Sequence, residues 1–123
     1  MLKKLLFTLI TIVLCNNLLV NAQVYTINNT TDTTCSGNFY DTGGSGSGYG
    51  NYQNFTHTFV SGNGNRISFN FAYLNTEAGY DYLNIYDGPS SAYPLIGSFT
   101  GSNNPGVVTS SGTVITFYFH SDN

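Results

Sequence analysis

Apolar and polar residues alternate with a period of two along most of the second half of the chain. Phe55, His57 and Phe59 fall on one side of an extended segment, with Thr56, Thr58 and Val60 on the other. A Gly62-Asn63-Gly64-Asn65 turn follows. Ile67, Phe69 and Phe71 then alternate with Ser68, Asn70 and Ala72, the pattern of a half-buried strand. Tyr80, Tyr82 and Asn84 alternate with Asp81, Leu83 and Ile85 in the next segment, which Asp87-Gly88-Pro89 closes with turn chemistry. Leu95 to Phe99 and Val107-Val108 read as shorter strands. Val114, Thr116, Tyr118 and His120 finally alternate with Ile115, Phe117 and Phe119. Short strands at this spacing predict an all-β fold, an antiparallel sandwich or barrel. Upstream, Asp41 to Gly50 is a glycine-rich loop, and the polar stretch 23–34 reads as a linker-like or edge-strand lead.

The first 22 residues follow another logic. Lys3 and Lys4 open a short basic start, Leu5 to Leu14 is nearly all apolar, and Val20-Asn21-Ala22 places small residues at −3 and −1 before Gln23. This is the layout of a signal peptide, 1–22, with an apolar run too short for a stable membrane span. Cys15 invites a lipoprotein reading, but Leu14 stands where a small residue is wanted. A secreted, extracellular chain beginning near Gln23 is therefore expected. It keeps one strong cation, Arg66, against six acids, a net charge of −5. Nucleic acid would meet no basic patch, and an anionic membrane surface is disfavoured for the same reason. Cys35 is the one cysteine left. No internal disulfide is expected, and Cys35 is read as a buried small apolar residue, the alternative being a partner on another chain or in a missing segment.

Several segments taken in order resemble the CUB domain, a β-sandwich with jelly-roll topology found in extracellular proteins. They are Cys35-Ser36-Gly37-Asn38-Phe39-Tyr40-Asp41, Arg66-Ile67-Ser68-Phe69-Asn70-Phe71, and the stretch from Glu77 through Tyr80-Asp81 to Asp87-Gly88. Leu95-Ile96-Gly97-Ser98-Phe99-Thr100-Gly101, Pro105, Ser110-Ser111-Gly112 and Phe117-Tyr118-Phe119-His120-Ser121-Asp122 complete the set. The resemblance implies a domain over 35–123, preceded by the lead segment 23–34. It also implies two disulfides in animal members. Cys35 resembles the first cysteine, whereas Phe55, Gly79 and Thr100 stand at the other three places. Packing among the many aromatics must then replace cross-links worth about 2–4 kcal/mol each. The family continues with a Gly-aromatic loop and a closing strand, so the sequence reads as C-terminally truncated, a sandwich lacking its last edge strand. The disulfide-poor, Gly/Ser/Asn-rich style resembles CUB domains of secreted bacterial proteins.

The resemblance also implies a metal site. Calcium-binding members supply a Glu, the Asp of a Tyr-Asp pair and the Asp of a Ser-Asp pair, and Glu77, Asp81 and Asp122 occupy those positions. Calcium needs several oxygen ligands in one small volume, and unpaired acids suit it. Asn123 could add a carbonyl oxygen, and Tyr49 or Tyr52 could hydrogen-bond a ligand carboxylate from outside. Binding should be weak, about 10⁻⁴–10⁻³ M as in extracellular modules. In the family a basic side chain of a partner docks beside the ion. Asp32, Asp41 and Asp87 are read as turn residues instead.

Catalysis is not expected. Gly44-Ser45-Gly46-Ser47-Gly48 matches a nucleophile-elbow pattern by letters, but no helix follows it. His57 reads as a core side chain and His120 as a strand histidine that parity could bring to Asp122. No zinc-type spacing is present. Glu77 and Asp81 could pair as in a glycosidase, but a domain this small lacks the cleft. Asn28, Asn29 and Asn54 head Asn-x-Thr sequons. The expected function is therefore calcium-dependent binding of an extracellular protein or glycan, without membrane insertion. The alternative is a structural spacer of a surface or adhesin protein.

Overall fold

The structure is a computed structural model and describes residues 22–123. The expected signal peptide, Cys15 included, lies outside the described residues apart from Ala22. Nine strands follow in order: β1 (Val24–Thr26), β2 (Thr31–Thr34), β3 (Asn38–Tyr40), β4 (Asn54–Ser61), β5 (Ser68–Asn70), β6 (Tyr82–Tyr86), β7 (Leu95–Phe99), β8 (Val107–Thr109) and β9 (Val114–His120). No helix among the described residues is long and apolar enough to cross a membrane.

One sheet has five strands in the order β2-β4-β9-β6-β7. Two ribbons, β1-β3 and β5-β8, face it. The core lies between the layers, and the alternation in sequence dictates who enters it. Phe59 of β4, Leu83 and Ile85 of β6, and Ile115, Phe117 and Phe119 of β9 are buried from the large sheet. Tyr25 of β1 and Val108 of β8 are buried from the ribbons, with Phe39 and Phe69 packed against them. Phe39 meets Phe59 edge-on at 4.9 Å and Phe69 meets Phe117 at 4.7 Å, so aromatic edge-to-face contacts bridge the layers. The all-β sandwich is therefore present.

Three features differ from the expectation. The polar stretch 23–34 takes the edge-strand alternative of its reading, and beyond that reading it sends Tyr25 and Ile27 into the core. Its pairings, β1 with β3 and β2 with β4, are parallel, whereas every other ladder is antiparallel. Residues 67–72 keep their alternation, but only Ser68–Asn70 pair as a strand. Beyond the ribbons, β3 and β5 each keep one edge unpaired. Both border a cleft of about 620 Å³, floored by Phe59, Leu83 and Phe119.

Candidate metal centre

The site is built at one end of β6 and β9. Asp81 stands just before β6, in phase with Leu83 and Ile85, so strand parity turns its carboxylate to the core side. It is only 4% exposed. Asp122 follows β9, which pairs Tyr82 with His120 and thereby brings the two acids to the same sheet end. Glu77 is delivered by a turn: the amides of Tyr80 and Asp81 both donate to the Glu77 carbonyl, at 3.3 and 3.0 Å. Gly79 in that turn has φ +84°, a conformation that L side chains rarely adopt. One carboxylate oxygen from each of Glu77, Asp81 and Asp122 lies within 4.8 Å of the others.

Asp81 is the electrostatic centre. The Tyr49 hydroxyl donates to its Oδ2 at 2.7 Å and the Asp122 amide to its Oδ1 at 2.9 Å. Burial alone would raise the Asp81 carboxyl. The bonds from Tyr49 and from the Asp122 and Glu77 backbone, with the field of His120, outweigh it and hold the group below its ordinary value. Asp81 is therefore an anion at neutral pH. No Lys or Arg approaches it: among the described residues the one basic side chain within salt-bridge distance of a carboxylate is His57, beside Asp32. Tyr49 shows the other half of the same contact. Burial, and then its bond to the Asp81 carboxylate, push its phenol up to about 12. Its oxygen also accepts the Glu77 amide at 3.1 Å, so one hydroxyl ties two of the acids together.

Tyr49 thus stands where a supporting tyrosine was expected. Tyr52 contributes through its backbone instead. Its amide donates to the Asp122 carbonyl at 2.6 Å, and its ring is 75% exposed. It carries φ +57°, uncommon for a residue with a side chain. Asn123 is exposed, directly after Asp122.

Sequence reasoning missed the residues that clamp these loops. Thr76 Oγ1 donates to the Asp81 carbonyl and accepts the Gly101 amide, at 3.2 and 2.8 Å, and the Thr76 amide donates back to the Gly101 carbonyl at 3.0 Å. Thr100 Oγ1 accepts the Gly79 amide at 2.8 Å and donates to the Glu77 carbonyl at 3.2 Å. Gly79 and Thr100 are two of the three positions that the resemblance sets against family cysteines, and here a hydrogen bond joins them. Buried Ser121 holds the 50–53 loop, donating to the Gly50 carbonyl and accepting the Gln53 amide. Its signal was available: it is a polar residue at a core-phase position beyond Phe117 and Phe119.

The remaining candidates separate from this centre. His120 Nδ1 lies 2.8 Å from Asn54 Oδ1, so it is bonded across to β4 and not to Asp122. His57 is buried and stacked on Phe59 at 4.4 Å, the core role expected of it. Asp32 is no turn residue: it lies in β2 with Oδ2 3.1 Å from His57 Nε2. Asp41 does accept the Gly43 amide two residues on, a local turn bond. Asp87 accepts the Ser111 amide at 2.8 Å, and hydrogen bonding by Ser111 holds its carboxyl below the usual range. Cys35 corrects the reading of a buried residue: it is exposed, directly after β2.

A family model described as "CUB domain" matches residues 27–123. Among curated proteins, the chain is 42% identical over 65 residues to zinc metalloproteinase nas-39 of Caenorhabditis elegans, covering 50% of this chain and 7% of that protein. It is 44% identical over 46 residues to human Tolloid-like protein 2, covering 37% of this chain and 4% of that one. The chain thus spans a small part of the relatives it matches. Among solved structures, the extracellular region of zebrafish Gpr126/Adgrg6 aligns with a TM-score of 0.58 at 23% identity, over 76% of this chain and 12% of that one. The MASP-1 CUB2 domain bound to Ca²⁺ aligns with a TM-score of 0.51 at 23% identity, over 61% of this chain and 70% of that one.

Proposed function

This chain belongs to the CUB domain family, and from that premise we propose that it is an extracellular, non-enzymatic recognition module whose acid cluster binds calcium and presents it to a protein partner. The observation that carries this reading is Asp81, a buried carboxylate held ionised, with two further carboxylates within 4.8 Å and no cation to neutralise them. The donor set fits a hard cation. Three carboxylates supply oxygens only, and each Asp81 oxygen keeps lone-pair capacity beyond the bond it already accepts. Glu77, Asp81 and Asp122 would hold the ion, with the Asn123 carbonyl as a further ligand and Tyr49 orienting Asp81. The neighbour solved with Ca²⁺ supports the choice of metal.

A basic side chain of the partner would approach the same cluster. Tyr80 and Tyr52, 61% and 75% exposed, lie beside Asp81 and Asp122 in the chain or by backbone hydrogen bond. Their rings offer faces on which an Arg or Lys rests favourably.

A thermal melt with and without calcium tests the metal reading. At ten times a Kd of about 10⁻³ M, linkage gives about 1.4 kcal/mol. For a domain of this size that raises Tm by roughly 5–10 °C. Glu77→Gln and Asp122→Asn should abolish the rise. A melt indifferent to calcium, or a rise that survives both substitutions, overturns the reading and leaves a spacer role.

A further inference from the structure

The outer face of the five-stranded sheet carries a second constellation, which the acid cluster does not use. β6 and β9 pair Tyr82 with His120, Asn84 with Tyr118 and Tyr86 with Thr116. Since Leu83, Ile85, Phe117 and Phe119 take the inner positions, all of these side chains stand on the outer face. The Tyr82 ring lies 5.0 Å from the His120 ring, inclined by 31°, and 6.1 Å from the Tyr118 ring. Asn54 of β4 extends the row: its Oδ1 accepts the Tyr118 hydroxyl at 3.0 Å. Tyr82 and Tyr86 are separated by about 13 Å along the strand at ~3.3 Å per residue, which is more than one sugar ring needs.

Two properties of this face select a ligand. The first is charge. Strands β4, β6, β7 and β9 contain no Asp, Glu, Lys or Arg, so the face around Asn84 is built of rings, amides and hydroxyls, with the Val60–Val114 pair farther along it. The second is Asn84 at its centre. Its Nδ2 donates to the Tyr86 hydroxyl at a long 3.4 Å, and its Oδ1 is buried beneath the face without a partner. An amide oxygen left unmade costs free energy that an incoming hydroxyl would recover. A small rotation of this loosely held amide would present it.

We propose that this face binds neutral pyranose oligosaccharides, with the Tyr82 and Tyr118 rings stacking on sugar faces and the Asn84 amide bonding to sugar hydroxyls. A pyranose offers what the face lacks partners for: a flat C–H surface for the rings and a rim of donors and acceptors for the amides. Anionic polymers find no cation here. This surface does not rest on the calcium reading, and the metal takes no part in it.

Calorimetric and NMR titrations of the protein with cellohexaose, xylohexaose, mannohexaose and chitohexaose test the proposal. Saturable binding of at least one is expected, insensitive to EDTA and to Glu77→Gln. Tyr118→Ala and Asn84→Ala should each weaken it about tenfold. Tyr118→Phe, which keeps the ring, should leave most of it. Asn84→Ala carries the test should Tyr118→Ala fail to fold. Absence of saturable binding to all four, or binding unchanged in Asn84→Ala, overturns the proposal. Loss of binding with EDTA would assign the sugar to the acid cluster and overturn it too. A calcium-insensitive melt with intact sugar binding would remove the metal reading alone.

Discussion

At the scale of single residues, Asp81 shows how a buried anion is made tolerable before any metal arrives. Its burial works against ionisation, and the Tyr49 hydroxyl with two backbone amides works for it. A carboxyl depressed in the fold contributes stability above its unfolded pKa, near 3.9, and that contribution is lost as pH falls through the folded value. Tyr49→Phe removes the donor to Asp81 and the acceptor of the Glu77 amide. The expected loss is about 1.5–3 kcal/mol at neutral pH, the usual value of a hydrogen bond to a charged group. Melts from neutral pH into the acid range should show the variant converging on the wild type once Asp81 is protonated. Calcium titration should show weaker binding, because an unsupported ligand must be oriented anew.

At the scale of elements, the metal centre depends on three loops being held against the ends of β6 and β9. Thr100 and Thr76 do this for the 76–81 turn, as Ser121 does for the 50–53 loop. Thr100→Val keeps the shape and deletes both bonds of its hydroxyl. The expected result is a destabilisation of about 1–2 kcal/mol and weaker calcium binding, with Thr100→Ser restoring both. Chemical denaturation and calcium titration of the two variants measure this. The same elements mark what the sequence discloses. Strands β4, β6 and β9 were legible because a strand with one face in the core must alternate; Ser121, on the buried phase of β9, was missed although its position carried a signal. The acid trio was legible through family resemblance, since no spacing rule joins residues 77, 81 and 122. The clamp was not legible, because a threonine hydroxyl that bonds loop backbone leaves no periodic signature. β1 and β2 were legible only as a linker-like or edge-strand lead: Val-Tyr-Thr and Thr-Asp-Thr-Thr, short and parallel-paired, carry too few apolar positions to alternate visibly.

At the scale of the whole molecule, the core holds one titratable ring that the candidate site does not use. His57 is 1% exposed, enclosed by Tyr25, Phe39 and Phe59. Its Nε2 is 3.1 Å from Asp32 Oδ2, yet neither ring nitrogen makes an aligned hydrogen bond. Burial lowers the His57 pKa, and the attraction of Asp32 opposes this only in part. The folded protein therefore takes up this proton less readily than the unfolded chain. The unfolded state binds more protons as pH drops below about 6.5, so stability falls there, and it is fully retained above that value. This window is separate from the carboxylate window of Asp81 and Asp87, which opens only near pH 4 and below. A Tm series should thus show two descending limbs on acidification, the first between neutral pH and the folded pKa of His57. His57→Phe keeps an aromatic ring among aromatic neighbours and should cost less than about 1.5 kcal/mol at neutral pH. It should erase the first limb while leaving the second, since Asp32 is exposed enough to be served by water. A single limb in the wild type, or a first limb that persists in His57→Phe, would show that this histidine is not what couples the fold to mild acid.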